Sequence, residues 1–586
     1  MKTFFKMLLA SVIGVLLASL LSFFVVAGIV GSIVSMSTQE SEVAVKSKSI
    51  LRIMLDKPVI ERSESSFVPD FLNSSVSMET AMGLAEILKS LKNAVSDPNI
   101  TMIYMDLSVF SAEGVAQIEE IRAELIRFKE SGKPIIAYAD NYSQPAYYLA
   151  SVADKIYLNP FGNALLQGVR AEVLFYKKAL EKLQVDVQII RHGKFKSAVE
   201  PFMGERMSDE NREQTLSFAN GIWNHWLSEI SKCRQIDVNK LQSLADDLSL
   251  FSAQAALDNR LVDGILYKDE LLAELCKLSS VSNEEKLSIV DIEKYVKTVK
   301  PGKMSKNKIA VVYANGDIVQ GKSSSGISAW EYANILRRLR NDSLVKAVVF
   351  RVNSPGGDAQ ASEIIARELA LIKEIKPVVV SMGNYAASGG YWISAPSHLI
   401  ITNPTTLTGS IGVFGIVPNL QKGMGNLLGI SVDVAKTAQL ADFPSVYRPM
   451  TERERDVMQG YIEEIYTNFV DRVASNRSLS AQKVDSVGQG RVWCGLDAVR
   501  LGLADRLGGI TEAIDAAAML AELSDYRTVE LPTIQSPIDQ LFQSFFGGNT
   551  KAKNVLPKPI EQAQKLVNTL SEPHIMARVP FDVEIY

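Results

Sequence analysis

S-P-G-G-D-A-Q at residues 354–360 has a counterpart in S-A-E-G-V-A-Q at residues 111–117, at an offset of 354 − 111 = 243. At that offset Asn141-Tyr142 also matches Asn384-Tyr385, and one residue later I-Y-L-N-P from Ile156 matches I-I-T-N-P from Ile400. Near the ends, L-V-D at 261–263 matches L-A-D at 503–505. Self-similarity at a fixed spacing is read before anything else in a long chain, and a tandem duplication is the economical explanation.

Working outward, each copy opens on a β-rich run, I-L-R-I-M-L from Ile50 and I-A-V-V-Y-A from Ile309. A helical stretch and a second strand follow, the strands at 101–107 and 347–352. Helical spacing then predicts helices over 118–128 and 361–372, and the runs 134–138 and 377–381 read as buried strands. Strand and helix in alternation predict an α/β fold. The polar stretch 300–308, with its Pro and Gly, is the natural linker. The expected organisation is a membrane anchor over 1–36, a first repeat over 45–299, a second over 309–533 and a tail over 534–586 of no legible role. Leu541–Phe546 in that tail is expected to pack locally.

The 586 residues suffice for two or more cores. A charged fraction of 22% and a net charge of −4 leave no basic stripe, so nucleic acid is not an expected partner. Three cysteines, Cys233, Cys276 and Cys494, lie far apart without a C-x-x-C, and the four histidines show no metal-ligand spacing. No disulfide framework, metal or cofactor is expected.

Lys2 and Lys6 precede an uncharged run over 7–35, and Glu40 and Glu42 follow it. That run exceeds the roughly 20 residues needed to cross a bilayer, and it is longer than the apolar region of a cleaved signal peptide. The charge asymmetry predicts a cytoplasmic N-terminus, with the remainder outside the cytoplasm.

In the second copy the strand over 347–352 runs into N-S-P-G-G, where adjacent Gly356 and Gly357 leave backbone N–H groups unshielded for an oxyanion. Next comes N-Y-A-A-S-G-G-Y-W at 384–392, with Ser388 between small residues at a strand-to-helix junction and the Gly389 N–H beside it. His398 is the nearest histidine in sequence, but it sits in a strand-like run past the serine. A better base lies in the first copy, in the segment V-D-V-Q-I-I-R-H-G-K-F-K-S-A-V-E-P-F over 185–202. Counting from the V-D-V shared with residues 432–434, an offset of 432 − 185 = 247, Lys196 corresponds to Phe443. Conversely Ser388 maps to Pro145, and Gly356 to Glu113, by the offset of 243. Each half keeps one part of a Ser/Lys pair, so the site must lie where the repeats meet. Lys194 stays open as a second choice of base.

N-S-P-G-G, Y-A-A-S-G-G-Y-W, T-G-S-I-G-V-F-G at 408–415, G-R-V-W from Gly490 and F-K-S-A-V-E-P-F together carry a resemblance. The chain resembles the signal peptide peptidase A family of the long, duplicated type, also called protease IV. The likeness runs from the anchor to about Gly509 and fades after Thr533. It implies a fold of the Clp protease and crotonase group and a Ser388 nucleophile with Lys196 as base. It further implies Ser410 as the hydroxyl that orients the lysine, and Gly389 with Gly356 or Gly357 as oxyanion donors. It implies apolar signal-peptide remnants as substrates, a homotetramer, and a single-pass protein of the bacterial inner membrane with its catalytic part in the periplasm.

A lysine acts as a base only when neutral, so its pKa must fall well below the usual value of about 10.4, and burial must supply the shift. Glu200 would oppose this if it paired with Lys196. The rival functions are a crotonase-like acyl-CoA enzyme and a decayed membrane scaffold, both of which a serine-directed label separates from a peptidase.

Overall fold

The computed structural model describes residues 45–534 except 64, 71–74, 113, 300–304 and 322–325, together with 574–578 and, near the N-terminus, 10–21 and a few isolated positions. Residues 10–21 are helical and exposed. Among the described residues no helix is long and apolar enough to cross a membrane, and most of the run over 22–35 lies outside them. Linker residues 300–304 and the Leu541–Phe546 stretch also lie outside the described residues.

The first repeat is built from β1 (Ser49–Leu55), α1 (Leu84–Ser96), β2 (Ile100–Phe110), α2 (Val115–Glu130), β3 (Ile135–Ala139), β4 (Lys155–Leu158), β5 (Asp186–His192), α3 (Asp209–Arg234), β6 (Gly264–Ile265) and β7 (Ile289–Asp291). Its main sheet is parallel, in the order β6-β4-β3-β2-β1-β7. The apolar runs of the sequence form these strands because helices cover the sheet.

The second repeat contains β8 (Lys308–Asn315), α4 (Ala329–Asn341), β9 (Val345–Ser354), β10 (Gly356–Asp358), α5 (Ala359–Lys373), β11 (Val378–Ala387), α6 (Gly389–Ser394), β12 (Leu399–Thr402), β13 (Leu407–Gly409) and β14 (Val413–Asn419). It continues with α7 (Glu452–Arg477), β15 (Val492–Cys494), α8 (Ile510–Leu520) and β16 (Arg527–Leu531), and the described chain closes on β17 (His574–Arg578). Reading from β16 through β8, β9 and β11 to β12 and the short strand Arg506–Leu507 reproduces the order of the first sheet, strand for strand. The duplication seen in the sequence is therefore a duplication of topology.

The copies are not independent. The core that holds β1, β2 and β3 continues through Ile309, Val311 and Val349 of the second sheet and through Ile510, Ala513 and Ala517 of α8. Polar contacts cross the same boundary. Fully buried Arg351 on β9 pairs with Glu61 at 2.8 Å and with Glu120 on α2 at 2.7 Å. Burial opposes its charge, but the two carboxylates more than offset this and hold its pKa above the usual arginine value. The N-terminus of α2 has no cap from its own residue Gly114. Asn384 of the second repeat supplies one, its Oδ1 accepting from the Ala116 N–H at 3.0 Å.

The decisive joint is a third sheet containing the order β10-β17-β14-β5. All seven residues of β5, from repeat one, lie antiparallel to β14, from repeat two, in the register Asp186↔Asn419 through His192↔Val413. The V-D-V that the second copy shares, at 432–434, forms no strand and is exposed. The strand role has thus been kept in one copy.

Candidate active site

Ser388 stands between the long strand β11 and α6, as the residue before the helix. Its backbone is at φ 54° and ψ −114°, a positive-φ conformation costly to a residue with a Cβ. It is held there by its N–H donating to Gly409 O at 2.8 Å and by its carbonyl accepting from the Trp392 N–H at 2.8 Å. A sharp strand-to-helix turn of this kind thrusts a hydroxyl forward.

The register of β5 on β14 delivers Lys196. The chain leaves β5 at His192, and the Phe195 N–H donates to Gln489 O at 2.9 Å. Gln214 of α3 clamps the loop, donating to Phe195 O at 3.0 Å and Ser197 Oγ at 2.7 Å while accepting from the Val492 N–H at 3.1 Å. The Lys196 side-chain nitrogen then reaches Ser388 Oγ at 2.7 Å, Ser410 Oγ at 3.0 Å and Ser410 O at 3.1 Å. All three residues are fully buried. Burial alone drives the Lys196 pKa well below the usual lysine value. Glu200 does not oppose it. Its carboxylate accepts from Ser208 N–H at 3.1 Å, Ser208 Oγ at 2.5 Å and Asn211 Nδ2 at 2.9 Å.

Two glycines give the lysine stem its channel. A Cβ on Gly490, at φ +81°, would stand 2.6 Å from the Lys196 backbone nitrogen, and one on Gly412 would stand 3.2 Å from Lys196 Cδ. Gly490 opens the G-R-V-W motif, whose role the sequence did not reveal; only the approach of a residue 490 − 196 = 294 positions away explains it.

The expected oxyanion glycines gather beside Ser388. A Cβ on Gly356, at φ +107°, would lie 2.9 Å from Gly389 N, and one on Gly389 would lie 3.2 Å from Gly357 N. The Gly356 N–H already donates to Ser354 Oγ at 3.2 Å. Of the adjacent glycines, Gly357 is the one without that commitment.

The other candidates stand apart. His398 Nδ1 accepts from the Val378 N–H at 3.1 Å, at the opposite end of β11 from Ser388. Lys194 is exposed, its ammonium 5.0 Å from the ring of Phe195.

A buried serine hydroxyl hydrogen-bonded to a desolvated lysine, with backbone donors alongside, is equipped for acyl transfer. Comparison with known proteins agrees. The model of peptidase family S49 matches residues 127–282 and 370–524. Protease 4 of Salmonella typhi is 36% identical over 87% of this chain and 83% of its own length. The chain belongs to peptidase family S49. Protease 4 of Haemophilus influenzae is likewise 36% identical, over 83% of this chain and 82% of its own. The chloroplastic serine protease SPPA of Arabidopsis thaliana is 30% identical over 85% and 73%. The S49 match falls once in each repeat, and the chain is a serine peptidase. A mutant ClpP1 from Listeria monocytogenes aligns over 35% of this chain and 94% of its own at a TM-score of 0.24 and 15% identity, too slight a likeness to carry weight.

Proposed function

We propose that this S49 peptidase cleaves apolar, extended peptides, signal-peptide remnants among them, by a Ser388/Lys196 dyad. The observation that carries this reading is the 2.7 Å contact between the Lys196 amine and the Ser388 hydroxyl, in a site where burial holds the lysine pKa well below its usual value. Neutral Lys196 takes the hydroxyl proton as Ser388 Oγ attacks the scissile carbonyl. The oxyanion is met by the N–H groups of Gly389 and Gly357, the latter favoured over Gly356 by the Ser354 contact. Lysine then returns the proton to the leaving amine, and water hydrolyses the acyl-enzyme by the same route. Ser410 fixes the amine with a neutral hydrogen bond and adds no carboxylate that would raise its pKa.

Each half belongs, in this reading, to the Clp protease and crotonase fold group. The chain is anchored in the bacterial inner membrane by the apolar run over 7–35, with the catalytic part on the periplasmic side, and acts as a homotetramer. Lys196→Ala and Ser388→Ala should each lower kcat/KM on an apolar peptide by about 10⁴-fold while the far-ultraviolet circular dichroism stays unchanged. Substantial residual activity in Lys196→Ala would refute the dyad. Protease added outside spheroplasts should digest the C-terminal bulk; protection would refute the orientation.

A further inference from the structure

Besides Gln214, two grips hold the loop that carries Lys196, and both lead to Tyr466 of α7. The first runs through the turn at 488–491. Its Gln489 carbonyl accepts from the Phe195 N–H at 2.9 Å, its Gly490 N–H donates to Ile411 O at 2.7 Å, and its Arg491 carbonyl accepts from the Ser410 N–H at 2.7 Å. One short turn therefore fixes the backbone on both sides of the lysine amine, beside Lys196 and at Ser410. Gln489 itself stands at φ 52°, a left-handed conformation that its surroundings must enforce.

Tyr466 enforces it. Its hydroxyl accepts from the Gln489 N–H at 3.3 Å and donates at 2.6 Å to Asp485 Oδ1, which the Gln489 side-chain amide also meets. Burial, reinforced by the Asp485 carboxylate, raises the Tyr466 pKa above the usual tyrosine value, so the phenol keeps the proton it donates. The second grip is on the end of β5. The His192 ring stacks on the Tyr466 ring with centroids 3.7 Å apart, and His192 Nδ1 lies 2.6 Å from Glu463 Oε2 on the same helix. Between the grips, Gly193 at φ +97° passes so close that a Cβ there would stand 2.5 Å from Gln489 O. The stretch from His192 to Lys196 is thus held at its start by the Tyr466 ring and, through Gln489, at Phe195 by the Tyr466 hydroxyl.

We propose that Tyr466 is a positioning residue for the base: through its ring on His192 and its hydroxyl on Gln489 it sets the place of Lys196 relative to Ser388. The proposal rests on the Ser388/Lys196 reading above. Both grips act on the backbone that carries the lysine, so their loss falls on proton transfer rather than on peptide binding. A lysine free to leave its buried place regains water, and its pKa moves back up.

Tyr466→Phe removes only the hydroxyl and keeps the ring on His192, and it leaves His192, Glu463 and Asp485, the ionisable groups beside it, in place. Kinetics of the detergent-solubilised full chain, with active sites counted by a fluorophosphonate, test the proposal. In Tyr466→Phe, kcat per labelled site should fall by about 10-fold with KM within about 2-fold, and the acid limb of kcat/KM should move to higher pH. Asp485→Ala, which strips the acceptor from both Tyr466 and the Gln489 amide, should move the limb in the same direction. A Tyr466→Phe enzyme whose kcat per site and acid limb are unchanged overturns the proposal. So does one in which only the number of labelled sites or the unfolding midpoint falls, which is the mark of a merely structural residue. If Tyr466→Phe does not fold, Asp485→Ala decides by the same two readouts. Failure of the dyad reads differently, because Lys196→Ala would then stay active; an inert Lys196→Ala beside a normal Tyr466→Phe sinks this inference alone.

Discussion

A lysine can serve as a base at moderate pH only if its surroundings refuse its charge, and among the described residues Lys196 has no carboxylate partner. The active species is the neutral amine, so kcat/KM should rise with pH through the depressed Lys196 pKa, and the rise should begin well below the ordinary lysine range. A lower limb confined to the pH range of an ordinary exposed lysine would contradict this. Ser410→Ala removes one of the two hydroxyls that hold the amine, and should lower kcat by about 10-fold or more with KM little changed, as steady-state kinetics would report. Gly490→Ala should be close to inactive and less stable, because its Cβ would overlap the Lys196 backbone at a positive φ. Normal activity there would show that the lysine channel has slack. Ser388 and Lys196 were legible in sequence, the one from its small neighbours and the other from the complementary loss between copies. Gly490, Gly412 and Gln214 were not, because each is required only by a contact between segments distant in the chain.

Among the elements, the strands and helices of both sheets were legible from apolar runs and helical spacing. The strand over 377–381 proved longer, β11 reaching Ala387, because its C-terminal half pairs with β13 rather than β12. What the sequence did not reveal is that β5 of the first repeat pairs with β14 of the second, since strand partners carry no local signature. Nor did it reveal the buried ion cluster in which Arg351 of the second repeat bridges Glu61 and Glu120 of the first. Arg351→Met would leave two buried carboxylates uncompensated and should destabilise the protein by about 3–5 kcal/mol, measured by denaturant unfolding. Carboxyls stranded in this way have pKa values raised above their unfolded ones, so their penalty grows as pH rises. The deficit should therefore shrink toward about pH 5, and a pH-independent deficit would mean the cluster is not the cause.

At the scale of the whole molecule, duplication and divided loss explain why a chain that matches the S49 model in both repeats brings Ser388 of one repeat against Lys196 of the other. The second repeat presents the serine and the glycines, the first presents the lysine, and the third sheet sets the distance between them. The strand at 574–578 was unreadable in the sequence because only its pairing with β10 and β14 gives it a place. The most direct measurement is reaction with a fluorophosphonate followed by peptide mapping. A single adduct on Ser388, abolished by Lys196→Ala, is the predicted result; an adduct on another residue, or labelling of Ser388 undiminished by loss of the lysine, would contradict a dyad assembled from the two repeats.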